Sequence, residues 1–141
     1  MLCRQYGATA AYTPMLHARL FSEGSKYREE HLTTCAEDHP LFVQFCANDP
    51  DVLVNAAQHV EEAADYIDLN FGCPQRIAKK GRYGAFLMDD LPCVASLVRA
   101  LHEVRSGAIC LASSCQQLLH RVIILSDSYM RVTHLHAWKW I

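Results

Sequence analysis

The sequence predicts an α/β fold built on a parallel sheet. The apolar run at residues 41–46 is typical of a buried strand. Residues 66–70 alternate apolar and polar side chains with the period of two that marks a short strand. Between these segments, apolar residues recur at helical spacing from Val52 to Ala64. Strand, helix and strand in this order indicate parallel pairing with right-handed crossovers.

The amino-terminal third predicts a further strand and little other regular structure. Residues 7–13 are small and apolar up to Pro14, which predicts a buried strand. Residues 15–21 predict a short helix. The polar segment 22–39 is predicted to be the longest loop of the chain, with a solvated surface.

Capping residues mark the starts of two predicted helices. Asn48 or Asp49 is the predicted cap of the helix that follows the run at 41–46, with Pro50 in its first turn. Asp90 and Pro92 open a later helix. Its predicted buried stripe is Val94, Leu97, Val98 and Leu101, and Cys93 is predicted to be a small apolar residue beside it.

Length and composition exclude several classes of protein. A chain of 141 residues allows one domain at most, and its net charge of −2 gives no overall basic field for nucleic acid. No apolar run approaches the ~20 residues that span a bilayer, and no secretory signal opens the chain. The seven cysteines lack paired spacing, which favours reduced thiols and an intracellular location, cytoplasmic or nuclear.

The stretch 66–74 presents a cysteine just beyond a predicted strand. Gly72 and Pro74 end the regular element, so Cys73 is predicted on a turn at the carboxyl end of that strand, where parallel α/β folds collect their functional groups. No histidine is spaced to act as its base. Because a free thiol titrates near ~8.5, the residues favour a proton donor over a nucleophile. The alternative is an ordinary buried thiol.

A basic run follows, in which four of the seven residues from 76 to 82 carry positive charge. Such a run suits a phosphate-bearing partner, and Gly81 and Gly84 would permit close approach of the backbone. The same cations would also favour a thiolate nearby, which weakens the proton-donor interpretation. The alternative is a solubilising loop. The cations are Arg76, Lys79, Lys80 and Arg82.

Gln44 interrupts the apolar run at 41–46. A buried amide without partners costs about 1–3 kcal/mol, so Gln44 must have hydrogen-bond partners. The residues alone leave two interpretations open: a core amide satisfied by backbone, or a ligand contact.

Residues 68–74, followed by Lys79, Gly81 and residues 84–87, resemble the signature of the tRNA-dihydrouridine synthases. The similarity is greatest to the eukaryotic branch that acts on the D-loop of tRNA, and it covers roughly residues 5–103. Residues 12–15 and 40–45 stand where that family has its second and third barrel strands.

The resemblance implies a partial TIM (β/α)8 barrel at residues 1–103, with strands 2 to 4 and their flanking helices. It also implies reduction of a tRNA uridine, with hydride from FMN at C6 and a proton from Cys73 at C5, and with NADPH or NADH as the reductant. Gln44 and Asn70 would contact the flavin. The basic run would contact tRNA.

Residues 104–141 are predicted to be a divergent tail, in which residues 118–125 are apolar enough for a helix or strand. A complete eight-stranded barrel usually needs ~200 residues or more, so the family's first and later strands are expected outside this chain, as in a partial or alternatively spliced product. The alternative function is a catalytically inactive fragment without a complete FMN site, whose open sheet edges would favour self-association. Cys110 with Cys115, and His134 with His136, lack structural zinc spacing, so no metal site is predicted.

Overall fold

The computed structural model describes residues 1–104. Its strands and helices alternate along most of this range, which confirms the α/β prediction. The strands are β1 (Ala11–Tyr12), β2 (Leu16–His17), β3 (Leu41–Cys46) and β4 (Tyr66–Leu69). The helices are α1 (Leu2–Gln5), α2 (Ala18–Glu23), α3 (Ser25–His31), α4 (Pro50–Gln58), α5 (Arg76–Gly81) and α6 (Leu91–Val104), with a 3-10 helix at Gly84–Leu87.

β3 is the central strand, and all its pairings are parallel. β4 pairs with it from Phe42 to Phe45, whereas β1 pairs at Leu41 and Phe42, and β2 pairs at Phe45 and Cys46. Because β4 occupies one edge of β3 over this length, β1 and β2 must follow one another along the opposite edge. The sheet therefore has three strand positions, as the sequence predicted.

The break between β1 and β2 is bridged by a side chain. Pro14 has no N–H to give to the sheet. The backbone N–H of Thr13 donates to the carbonyl of Phe42 at 2.9 Å, and the Thr13 hydroxyl accepts the N–H of Gln44 at 3.0 Å. The hydroxyl thus stands in for a backbone carbonyl, and the two short strands act as one strand position.

The prediction for the first strand was wrong in extent and burial. Residues 2–5 form α1, Gly7 lies in a turn with φ +91°, and β1 is two residues long with Tyr12 exposed. Leu16, which the sequence placed in a helix, lies in β2. A strand that leaves half its side chains exposed gives no continuous buried run, so small apolar residues alone misplaced its bounds.

The prediction that residues 22–39 form one long loop was also wrong, because the segment contains α3. Arg28 of α3 donates from Nη1 to the carbonyls of Phe21 and Ser22 at 2.6 and 3.2 Å, which satisfies acceptors at the end of α2. The Tyr27 ring meets the buried Phe21 ring edge-on at 6.4 Å. These contacts hold α3, and helical periodicity does not reveal them.

The two capped helices begin where predicted and cover one face of the sheet, but α4 ends at Gln58, short of the Ala64 that the apolar spacing indicated. Asp49 accepts the N–H of Val52 at 3.1 Å at the start of α4, and Asp90 accepts the N–H of Cys93 at 3.2 Å at the start of α6. α4 packs against both α2 and α6. The predicted stripe of α6 is buried throughout, namely Val94, Leu97, Val98 and Leu101. No helix in residues 1–104 has the length and apolar character to cross a membrane.

The two faces of the sheet differ in chemistry. By strand alternation, Leu41, Val43 and Phe45 of β3 point into the helical core. On the opposite face, Phe42 stacks between Tyr12 and Tyr66, with ring centroids 4.6 and 4.5 Å apart. Beyond this aromatic row, toward the carboxyl ends of the strands, the same face carries polar side chains. That edge holds the candidate site.

Candidate functional site at the carboxyl edge of the sheet

The loop that carries Cys73 is held by the side chain of Asn70. The backbone N–H of Asn70 still donates to the carbonyl of Phe45 at 2.9 Å, which extends the β4 pairing by one bond. Its Oδ1 then accepts the N–H groups of Gly72 and Cys73 at 3.1 and 2.9 Å. One side chain, anchored on the sheet, therefore fixes the first turn of the loop, and Cys73 is half-buried.

Gly84 holds the other side of the Cys73 loop. The N–H of Ala85 donates to the carbonyl of Cys73 at 3.1 Å. Gly84 has φ +64°, and a Cβ there would lie 2.7 Å from the Cys73 carbonyl oxygen and 3.0 Å from its Cβ. Only glycine permits this approach without a shift. The close approach predicted for this glycine is made to the Cys73 loop itself.

A chain of side-chain hydrogen bonds runs from β4 through β3 to this loop. Gln44 Nε2 donates to Asp68 Oδ2 at 2.6 Å, and Asn70 Nδ2 donates to Gln44 Oε1 at 3.1 Å. Register explains the contact, because Gln44 and Asp68 are opposite one another in the parallel ladder. Gln44 is thus satisfied by two side chains rather than by backbone.

Asp68 is the buried carboxyl at the start of this chain of bonds. It is 1% exposed, and its Oδ1 has no hydrogen-bond partner among the described residues. Burial raises the pKa of Asp68 to about 7, against the opposing effect of the Gln44 hydrogen bond. The group therefore titrates near neutrality, as buried carboxyls with few donors do.

The basic run forms α5 and the residue after it. All four predicted cations are exposed. Arg82 ends the helix in the left-handed conformation with φ 53°, and its Nη2 lies 3.8 Å from Asp90 Oδ2. Asn48 Nδ2, beyond the end of β3, donates to the Gly81 carbonyl at 2.9 Å. This bond ties the basic helix to the same edge of the sheet as Cys73.

Comparison with known proteins agrees with this arrangement. The model of the dihydrouridine synthase family matches residues 1–108. The chain belongs to the dihydrouridine synthase family. The three strand positions with helices on one face are accordingly a segment of a TIM barrel, and the predicted fold class is confirmed.

Relatives of known name align over different shares of the chain. The tRNA-dihydrouridine(16/17) synthase [NAD(P)(+)] of Saccharomyces cerevisiae is 55% identical over 97% of this chain and 34% of its own length. A rat protein named as similar to that enzyme is 51% identical over 73% of this chain and 24% of its own length. The enzyme of the same name from Schizosaccharomyces pombe is 43% identical over 72% and 26%. The chain thus spans about a third or less of the length of these relatives.

The predicted division at residue 103 stays a prediction. The alignment with the Saccharomyces cerevisiae protein continues past it. The predicted tail lies outside the described residues. The same holds for the pairs for which no zinc site is predicted, Cys110 with Cys115 and His134 with His136.

The sequence named most of the groups at this edge but missed Asp68. Cys73, Gln44 and Asn70 come together there, and their roles in a dihydrouridine synthase stay predictions. The alternating pattern of the strand marks Asp68 only as a polar position. Its place two residues before Asn70 puts both side chains on the same face of the strand, which is the sequence signal for a shared site.

Two other groups near Cys73 had no sequence signal. Burial raises the pKa of Cys46, at the end of β3, to about 12. Burial also raises the pKa of Tyr83, and the nearby thiols of Cys46 and Cys73 add to this shift. The Tyr83 ring meets the His17 ring edge-on at 5.4 Å. No histidine hydrogen-bonds Cys73 among the described residues, so a Cys-His nucleophile has no support in the geometry.

Proposed function

We propose that the chain carries the reaction of a tRNA-dihydrouridine synthase: reduction of a D-loop uridine to 5,6-dihydrouridine, with FMN as cofactor and NADPH or NADH as reductant. The observation that carries the proposal is the placement of Cys73 beside the Gln44 and Asn70 amides at the carboxyl edge of the sheet. The names of the relatives support both the tRNA substrate and the nicotinamide reductant.

The two amides fit a ligand rich in hydrogen-bond acceptors. The NH2 groups of Gln44 and Asn70 each use one hydrogen in the contacts described above, and each has two. One N–H of each amide is therefore left to donate. The ring carbonyls and nitrogens of a flavin are acceptors of this kind, so Gln44 and Asn70 are the residues proposed to hold FMN.

Cys73 is proposed as the proton donor. FMN, when bound, supplies the hydride that reduces C6 of the uracil. The Cys73 Sγ–H bond breaks as its proton passes to C5, so hydride and proton together saturate the 5,6 double bond. Fixing both backbone groups of Cys73 limits where Sγ can lie, and such positioning contributes to the rate.

A second candidate is a catalytically inactive fragment without a complete FMN site. The described residues supply three strand positions of an eight-stranded barrel, and the chain spans about a third of its Saccharomyces cerevisiae relative. In that case the Cys73 loop would be retained with neither cofactor nor turnover.

Titration of the 141-residue chain with FMN, followed by flavin fluorescence with circular dichroism alongside, separates the two candidates. Saturable binding by a folded chain supports the synthase, and its absence supports the fragment.

With flavin bound, Cys73→Ala should retain FMN but lose uridine reduction by a factor of about 10²–10⁴, because a positioned proton donor contributes that much. Cys35→Ala, at an exposed loop cysteine, is the matched control, and equal losses in both variants would contradict the assignment.

The exposed cations of α5 are proposed to contact tRNA phosphates. Replacing Lys79 and Lys80 together with Ala should weaken tRNA binding and flatten its dependence on salt, because each lost phosphate contact removes a released counterion. Lys26→Ala, at an exposed lysine of α3 paired with Glu30, is the control. An unchanged salt dependence in the double variant would assign the run to solubility.

We also propose self-association through the sheet edges, because the outer edge of β4 has no partner strand among the described residues. Sedimentation at rising concentration tests this, and a monomer throughout would contradict it. The cytoplasmic or nuclear location stays a prediction.

A further inference from the structure

Asp68 is the one carboxyl in the buried set of the described chain. Among residues 1–104, its Oδ1 has no hydrogen-bond partner, and its Oδ2 accepts from Gln44. A buried carboxyl with a single donor destabilises the fold. Sequences retain such local costs mainly where a site needs them.

The hydrogen bonds from Asp68 to the loop have a fixed direction. At pH 8 Asp68 is mainly ionised, and a carboxylate only accepts, so Gln44 must turn its NH2 toward Asp68 and its Oε1 toward Asn70. Asn70 must then turn its NH2 toward Gln44. At the far end, the N–H groups of Gly72 and Cys73 require an acceptor, which is Asn70 Oδ1. The acceptor at one end and the donors at the other thus demand the same orientation of both amides.

We propose that Asp68 is a positioning residue that sets the orientation of the Gln44 and Asn70 amides and, through Asn70, holds the Cys73 loop. This inference rests on the proposed function in one respect. The orientation set by Asp68 is useful because it points one N–H of each amide toward the acceptor atoms of the proposed flavin. Among the described contacts, the hydrogen bond of Asp68 is to Gln44 and not to Cys73. Its effect on Cys73 is transmitted by two amides.

Loss of the amide at position 44 breaks this direction. Gln44→Met keeps the length of the side chain but has neither the hydrogen that Asp68 accepts nor the oxygen that accepts from Asn70. The pairing of Gln44→Glu with Asp68→Asn restores it: the amide at 68 donates to the carboxylate at 44, which still accepts from Asn70. Asn70 Oδ1 then stays on the Gly72 and Cys73 N–H groups. The double variant keeps the loop but removes the N–H donor of position 44.

The experiment is amide hydrogen exchange at Gly72 and Cys73 in the full 141-residue chain at pH 8, with the alkylation rate of the Cys73 thiol measured alongside. Gln44→Met should speed exchange at both amides at least tenfold and change the Cys73 alkylation rate. The double variant should return both to within about threefold of wild type. Cys35, exposed and distant in sequence, reports any general change in thiol reactivity.

Fast exchange in the double variant, or unchanged exchange in Gln44→Met, would overturn the proposal. If Gln44→Met does not fold, the comparison of wild type with the double variant decides alone, because a structural role without direction predicts no recovery. FMN titration of the same proteins tests the proposed function separately. A chain that binds no flavin but shows loss and recovery of protection would refute the synthase assignment and leave the positioning role standing. In a chain that does bind flavin, the double variant should bind it more weakly than wild type.

Discussion

The two edges of the sheet use the same kinds of residue in opposite ways. At the amino edge, Asp65 Oδ2 accepts from the Leu41 N–H at 2.7 Å and contacts His39 Nδ1 at 2.6 Å. Nearby, Arg4 pairs with Asp38 at 2.6 Å. Three residues after Asp65 along the chain, Asp68 is more deeply buried, and within the described part of the chain its one donor is Gln44.

The pKa shifts of these two carboxyls have opposite signs. Burial would raise the pKa of Asp65, but the Leu41 N–H and His39 outweigh it, so the pKa lies below its ordinary value. For Asp68, burial outweighs the one hydrogen bond and raises the pKa to about 7. The ionised form of Asp65 at the amino edge therefore stabilises the fold, whereas the ionised form of Asp68 at the carboxyl edge destabilises it.

The largest effect is expected from Asp68→Asn as a function of pH. The folded-state pKa is raised, so the folded protein binds a proton more tightly than the unfolded chain does. Stability is therefore full below about 4 and is lost as pH rises toward about 7. Three pKa units correspond to about 4 kcal/mol at most, and most of this falls between pH 4 and pH 7.

Urea denaturation of both proteins at pH 5 and pH 8 measures this effect. The stability of Asp68→Asn relative to wild type should rise by about 2–3 kcal/mol between these pH values, because the variant has no carboxyl to ionise. Comparing the pH dependence of the unfolding free energy in the two proteins removes any pH-independent effect of the introduced amide. Parallel pH dependence in the two proteins would show that Asp68 is solvated or better paired than its burial indicates.

The second largest effect on stability is expected from alanine substitution of two glycines in different parts of the molecule. Gly84 at the carboxyl edge and Gly7 near the amino terminus both have positive φ, but a Cβ at Gly7 would meet nothing within 4 Å. Gly84→Ala should cost about 2–3 kcal/mol, from backbone strain together with the overlap on Cys73, and Gly7→Ala about 1 kcal/mol from strain alone. Denaturation midpoints measure the costs.

The location of the damage distinguishes these two variants further. Gly84→Ala should also change the alkylation rate of Cys73, because the loop must move, whereas Gly7→Ala should leave it unaltered. Equal losses of stability with no change in the alkylation rate of Cys73 would mean that the Cys73 loop accommodates a Cβ at position 84 without measurable displacement.

The sequence predicted those elements whose signals lie within a few residues, and it missed or misplaced those that depend on contacts with other parts of the chain. The bounds of β3 and the starts of α4 and α6 followed from burial patterns and from caps such as Asp49, whose signals lie within a few residues. α3 was missed because Arg28 and Tyr27 hold it through contacts with α2. β1 was misplaced because its side chains are half exposed.

The same limit applies to the site. Cys73, Gln44 and Asn70 were named from local pattern and from family resemblance, and the register of β3 against β4 brought them together. The role of Asp68 depends on that register, since its partner lies 24 residues away in sequence. A pattern of alternating residues does not show which residue of the neighbouring strand a carboxyl contacts. Asp68 was therefore missed, because its role depends on its pairing with Gln44.

The smallest effect is expected at the amino edge, from Asp65→Ala. Its contact with the Leu41 N–H joins the start of β3 to the start of β4 and contributes about 1 kcal/mol, because part of the side chain is in contact with water. The pKa is lowered in the fold, so this stability is present at neutral pH and is lost as pH falls through the folded-state value. The difference between wild type and Asp65→Ala in urea should therefore shrink on acidification from pH 7 to pH 3, opposite in sign to the trend at Asp68. A difference that grew on acidification would mean that both edges bury their carboxyls in the same way, and the contrast between them would fail.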